Sequence, residues 1–180
     1  FSDGGRFSDV NSAVQQAMKM LEAGASIIDL GGESTRPGSQ PVPADQQIDR
    51  VLPLLEHLRT ETAALISVAT GSSTVIDAVA SAGADLINDV YALRQDGALQ
   101  AVAVSGLAVC LMHMQGTPAT MQDAPHYDDP VTDILRFLRQ RADACVAAGI
   151  DTSRLLVDPG FGFGKTDDHN LQILAGLDAF

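Results

Sequence analysis

Positive charge is scarce in this chain: its 180 residues carry 11 Lys and Arg against 23 Asp and Glu, a formal charge of -12 at pH 7. That balance argues against nucleic acid and against anionic membrane surfaces as partners, since both select basic faces. An anionic small molecule would have to meet local positive charge. Cysteine is as rare. Cys110 lies in an apolar run and Cys145 in a helical pattern, which gives neither a disulfide framework nor a metal-ligand spacing, so both read as small core residues of a reducing compartment. His57, His113, His126 and His169 are expected to make no i, i+4 pairing with an acid, and no zinc site with it. No apolar run approaches the ~20 residues of a bilayer span, and no secretory signal pattern is present; the cytoplasm is the expected location. An initiating Met is also missing. The opening Phe1-Ser2-Asp3-Gly4-Gly5 has the composition of a turn interior, and the chain is expected to be a fragment.

Against these shortages stand 46% hydrophobic residues and a mean hydropathy of +0.10, enough to bury the core of one domain spanning residues 1–180. Residues 10–23 place Val10, Ala13, Val14, Ala17, Met18 and Leu21 at helical spacing, with Asn11 or Ser12 as cap and Gly24 as stop. Further helices are expected at 47–58, with a kink at Pro53, and at 72–82, 97–104, 129–148 and 170–180. Short apolar strands begin near 26, 64, 86, 107 and 155. Near-continuous apolar strands alternating with amphipathic helices predict a parallel sheet covered by helices. The strands end in Asp29, Thr70, Asn88, His113 and Asp158, and polar chemistry spread over several strand ends favours a (β/α)8 barrel over a doubly wound sheet. Five βα units would make a partial barrel lacking the first and the last two strands. No Gly-x-Gly-x-x-Gly follows a first strand, so a dinucleotide site is not expected.

Three stretches carry chemistry. Asp158-Pro159-Gly160-Phe161-Gly162-Phe163-Gly164-Lys165 follows a buried strand and sets a carboxylate where α/β folds gather ligands; the plainer alternative is an Asp that caps its own turn. Gly31-Gly32-Glu33-Ser34-Thr35-Arg36-Pro37-Gly38 joins hydroxyls, a guanidinium and glycines, suited to a diphosphate or carboxylate, or else forms a flexible polar loop. Asn88 and Asp158 together suit a flat heterocycle with amidine-like N–H groups, such as a pterin, and Leu111-Met112-His113-Met114-Gln115 could wall a ring pocket.

Gly24-Ala-Ser-Ile-Ile-Asp29-Leu-Gly-Gly-Glu-Ser-Thr-Arg-Pro37, Ile87-Asn88-Asp89-Val90, Leu111-Met-His-Met-Gln-Gly116 and the glycine-rich stretch from Asp158 to Lys165 resemble dihydropteroate synthase along the whole chain. The resemblance implies a (β/α)8 barrel and the condensation of p-aminobenzoate with 6-hydroxymethyl-7,8-dihydropterin diphosphate in folate synthesis. By position, Asn88 and Asp158 would hold the pterin ring, Thr35 and Arg36 the diphosphate and aminobenzoate, and Met112, Gly162 and Phe163 would line the pocket above Asp29; Asp158, Asn88 and Arg36 would be the catalytic set. Magnesium is the implied cofactor, its Asn lying before Phe1, while the family's substrate Lys and its Arg-x-His anion site would lie after Phe180. Lys165 is not that lysine. A homodimer is the expected assembly. One departure falls inside the chain: where the family reads Ser-Val-Asp-Thr, this sequence reads Ser67-Val68-Ala69-Thr70. The alternatives are therefore a catalytically impaired pterin-binding paralogue and a methyltetrahydrofolate-type methyltransferase domain, against which the Glu33 to Gly38 loop argues.

Overall fold

The structure is a computed structural model that describes residues 9–180; the turn expected at residues 1–5 lies outside the described residues. Five strands, β1 (Ile27–Gly31), β2 (Leu65–Ala69), β3 (Leu86–Asp89), β4 (Ala108–Met112) and β5 (Leu155–Asp158), pair in parallel in the order of the sequence. Each is followed or preceded by a helix: α1 (Val10–Glu22), α2 (Ala44–Glu61), α3 (Ser73–Ser81), α4 (Ala98–Ser105), α5 (Pro130–Ala147) and α6 (Asp167–Ala175). A strand order with no reversal leaves no switch point of the doubly wound kind. The sheet is the partial (β/α)8 barrel that the sequence predicts.

Helix starts depart from expectation where a side chain supplies the first hydrogen bonds. Asp9, not Asn11 or Ser12, caps α1, its Oδ1 accepting from Ser12 N at 3.0 Å. α6 begins at Asp167 rather than Asn170, because Thr166 Oγ1 accepts from His169 N and His169 Nδ1 accepts from Thr166 N, both at 3.2 Å. It ends at Ala175, short of Phe180, and a single 3-10 turn (Leu177–Ala179) follows Gly176. α2 runs unbroken through Pro53. Pro53 lies on the exposed side, where the carbonyl that loses its partner is open to water.

Strand side chains alternate between two faces. One face carries Ile28, Leu30, Ile66, Val68, Ile87, Val109 and Leu111 against Val51, Leu55 and Leu58 of α2, Val75, Ile76 and Val79 of α3 and Ile134 and Leu138 of α5. Each such fully buried side chain contributes about 1.5–3 kcal/mol. The other face is concave. Its lower layer is apolar, with Ile27, Leu65 and Leu156 still 43%, 50% and 45% exposed, and its upper layer carries Asp29, Asn88 and Asp158. Among the described residues no helix is long and apolar enough to cross a membrane.

Candidate functional site

At the C-terminal ends of the strands the ladder sets Ala69 beside Asn88 and Met112 beside Asp158. Asn88 Nδ2 donates to Asp29 Oδ2 at 3.2 Å. An ionised carboxylate only accepts, so this bond fixes the amide: its N–H side faces Asp29 and its Oδ1 is left as an acceptor. Asp158 Oδ1 accepts from Gly160 N at 2.7 Å and its main-chain oxygen accepts from His113 N at 2.9 Å. The turn-capping alternative is thus present as well. The second carboxylate oxygen makes no hydrogen bond among the described residues, and one side chain serves both the turn and the concave face.

Met112 is 4% exposed and packs with Met114 and Met121, with Tyr91 and Phe163 alongside. This soft wall stands beside Asp158 and is continued by the glycine-rich loop. Gly162 adopts φ +80°, a conformation open to glycine; its N–H donates to Asn170 Oδ1 at 2.9 Å and its carbonyl accepts from Gln122 Nε2 at 2.7 Å. The structure therefore gathers Asp29, Asn88, Asp158, Met112, Gly162 and Phe163 at one end of β1 to β5. Thr35 stands apart, in the wall of a cavity of about 250 Å³ formed with Ser34, Tyr91, Gln95 and Thr117. Arg36 is exposed on the same loop, its carbonyl accepting from Ser39 N at 3.0 Å. Glu33 Oε1 shapes that loop by accepting from Val42 N at 2.7 Å.

Two polar groups of the concave face were missed in the sequence. Cys110 is the ladder partner of Asn88, and burial, followed by the charges of Asp158, Asp29 and Asp89, pushes its thiol up to about 11. It stays protonated and is no nucleophile at neutral pH. A period of two counted back from Met112 would have found it. Ser67, ladder partner of Asp29, has the one buried side-chain oxygen among the described residues without a hydrogen-bond partner. His57 and Glu61 do form an i, i+4 pair, at 3.8 Å on the outside of α2, contrary to the expectation of none. Among the described residues no group of three His, Cys, Asp or Glu side chains could hold a metal ion. The magnesium ligand that the resemblance implies is an Asn that is not among these residues.

Residues 1–180 match the family described as pterin binding enzyme. A dihydropteroate synthase of Escherichia coli is 48% identical over 180 residues, covering 100% of this chain and 64% of the relative. The structure of Yersinia pestis dihydropteroate synthase with a sulfonamide drug superposes with TM-score 0.95 at 51% identity, covering 96% of this chain and 63% of that one. The Xanthomonas albilineans enzyme in complex with 7,8-dihydropteroate gives TM-score 0.85 at 46% identity, over 96% and 62% of the two chains. The chain spans about 64% of the length of the E. coli relative. Five parallel strands in unbroken order, a rim of two carboxylates and an amide, and a family match over every residue agree: the chain belongs to the pterin-binding enzyme family.

Proposed function

We propose that this chain is the ring-binding part of a dihydropteroate synthase, which joins p-aminobenzoate to 6-hydroxymethyl-7,8-dihydropterin diphosphate and releases diphosphate. The observation that carries the reading is the acceptor-rich rim. Asn88 has its N–H side turned to Asp29, so Asn88 Oδ1 and the second oxygen of Asp158 meet a ligand as acceptors. An edge with several N–H donors, such as the amidine-like edge of a pterin, is its complement. Met112 and Phe163 offer the ring an apolar wall. The relatives are enzymes of this name, and one was solved with 7,8-dihydropteroate.

The reaction is an alkyl transfer: the aromatic amine attacks the exocyclic methylene of the pterin, the C–O bond to diphosphate breaks, and the amine loses a proton. In this reading Asp158 and Asn88 hold the ring so that the methylene faces the amine, which converts an encounter into a positioned attack. Thr35 and Arg36, on the loop after β1, receive the anionic parts of the two substrates, with Arg36 supplying positive charge to the leaving diphosphate. Asp158→Asn in the full-length protein is expected to weaken pterin binding by ~2–3 kcal/mol, because it removes a charge-assisted bond and turns an N–H toward N–H donors. Calorimetric titration with a pterin checks it, and unchanged affinity would remove Asp158 from the site.

A second reading rests on Ala69. This residue sits between Gly31 and Asn88 in the ladders, at the position where the family resemblance calls for an Asp, and it supports a pterin-binding paralogue with weak turnover. Steady-state turnover beside pterin affinity separates the two: tight binding without dihydropteroate formation favours the paralogue.

A further inference from the structure

The glycine-rich loop is tied at both ends to one residue of β4's extension. His113 N donates to Asp158 O at 2.9 Å, before the loop, and Lys165 Nζ, after it, lies 3.1 Å from His113 Nδ1 and 3.3 Å from His113 O. The third contact of Nζ is the carbonyl of Phe163 at 2.9 Å. An ammonium has three N–H donors and no acceptor, so all three are matched. Lys165 is 3% exposed and His113 7%. The loop lies directly on the chain between them, since a Cβ on Gly160 would come within 2.0 Å of His113 O and one on Gly164 within 2.8 Å of Gln115 O. The imidazole is seated edge-on against Phe137, with ring centres 4.9 Å apart, and Tyr127 beside it donates from Oη to Gly164 O at 2.7 Å.

We propose that Lys165 and His113 are positioning residues of the ring site, a buried clamp that presses residues 159–164 onto β4 and thereby sets Asp158, Met112 and Phe163 in register with one another. The inference rests on the functional reading above. A neutral His113 is what the clamp requires, because the ammonium can only donate to Nδ1, which places the ring proton on Nε2. Burial first, then the charges of Lys165 and Arg94, hold His113 down to about 3, against the opposing charge of Asp133. Burial lowers Lys165 to about 8 and Asp158 opposes it. Among the described residues no carboxylate contacts the ammonium; three dipoles solvate it.

That last feature gives a signature which a purely structural role would not produce. Removing the ammonium while keeping an apolar stem of similar length ends the cost of burying a charge but leaves two carbonyls and Nδ1 short of a donor. Lys165→Met in the full-length protein is expected to lower the melting temperature while the fold persists, and to raise the pterin Kd and the KM for the pterin diphosphate on the order of 10- to 100-fold, as a misplacement of about 1 Å of a positioning group does. Amide exchange of residues 161–164 should accelerate at the same time. His113→Asn, which keeps an acceptor near Nδ1, should retain most of the affinity that His113→Leu loses, and this pair decides the matter if Lys165→Met does not fold. Wild-type affinity in Lys165→Met, or equal losses in the two His113 variants, overturns the clamp. If the wild-type protein itself binds no pterin, the functional reading fails, and the exchange rates alone then judge the clamp: unchanged protection in Lys165→Met overturns it.

Discussion

Ala69 is the residue at which this chain's chemistry is most exposed to experiment. Its Cβ would lie 3.7 Å from one placed on Gly31, and Gly31 carries none, so the Gly31 side of the half-buried position 69 is not filled by a side chain. Ala69→Asp in the full-length protein is expected to raise pterin affinity about 10- to 100-fold, the equivalent of one hydrogen bond to a charged group at roughly 1.5–3 kcal/mol. Paired titrations of the two versions check this, and equal affinities would mean that the second strand's end does not touch the ring. Asp29, Asn88 and Asp158 were legible in the sequence, because a polar residue ending an apolar run is visible without coordinates. The bond between Asp29 and Asn88 was not: their separation of 59 positions is bridged only by strand register. Lys165 was set aside as a loop lysine for the same reason, since nothing local reveals that His113 lies beneath it.

At the scale of the element, the loop between β3 and α4 holds two left-handed residues in a row. Ala92 and Leu93 take φ of 52° and 56° in succession, a left-handed pair that costs ~1 kcal/mol or more per residue for side chains with a Cβ. Asp89 compensates from one side, Oδ1 accepting from Tyr91 N at 2.8 Å and Oδ2 from Leu93 N at 2.7 Å. Arg141 of α5 compensates from the other, donating to Ala92 O at 2.8 Å and Leu93 O at 3.2 Å. The loop so held carries Tyr91 and Gln95 into the cavity that Thr35 also lines. Burial raises Asp89 from 3.8 to about 6 despite its two N–H partners. Between those pH values the folded state holds a proton that the unfolded chain has released, so this group's contribution falls as pH rises through the window. Asp89→Asn should cost ~1–3 kcal/mol at pH 4, where an N–H replaces an acceptor, and the cost should shrink toward pH 6. Chemical denaturation of both forms at the two pH values tests the sign; a cost that grows with pH would contradict it. The helices and strands of this region were legible from apolar spacing, but the loop was not, because strained turns are set by partners remote in sequence rather than by their own residue types.

For the whole molecule, the contrast between the two faces of the sheet decides behaviour in solution. The helix-covered face is buried from β1 to β4, with Val157 of β5 40% exposed, whereas Ile27, Leu65 and Leu156 on the concave face are 43%, 50% and 45% exposed, and among the described residues β1 and β5 each have one neighbour in the sheet. Expressed as these 180 residues only, the chain is expected to self-associate through its strand edges and apolar lumen, which light scattering or sedimentation reads directly; a monodisperse monomer would be the contrary result. The parallel sheet was legible because it follows from counting alternations, and the barrel class because polar residues end several of the strands. The lumen's burial state was not, since period-two patterning shows which residues share a face and not what covers it.

Cys110 gives that same interior a second use. Folded, its thiol is held near 11 and Cys145 is fully buried, whereas an unfolded cysteine titrates near 8.5. At pH 8 the native lumen thiol would then offer on the order of 100-fold less thiolate than the unfolded chain. A thiol reagent added to the full-length protein becomes a stopwatch for opening of the fold: its rate should climb with denaturant in step with the loss of helical signal, and a bound ring ligand should slow it. Rapid labelling of the native protein at pH 8 would mean that the lumen breathes far more often than its packing implies.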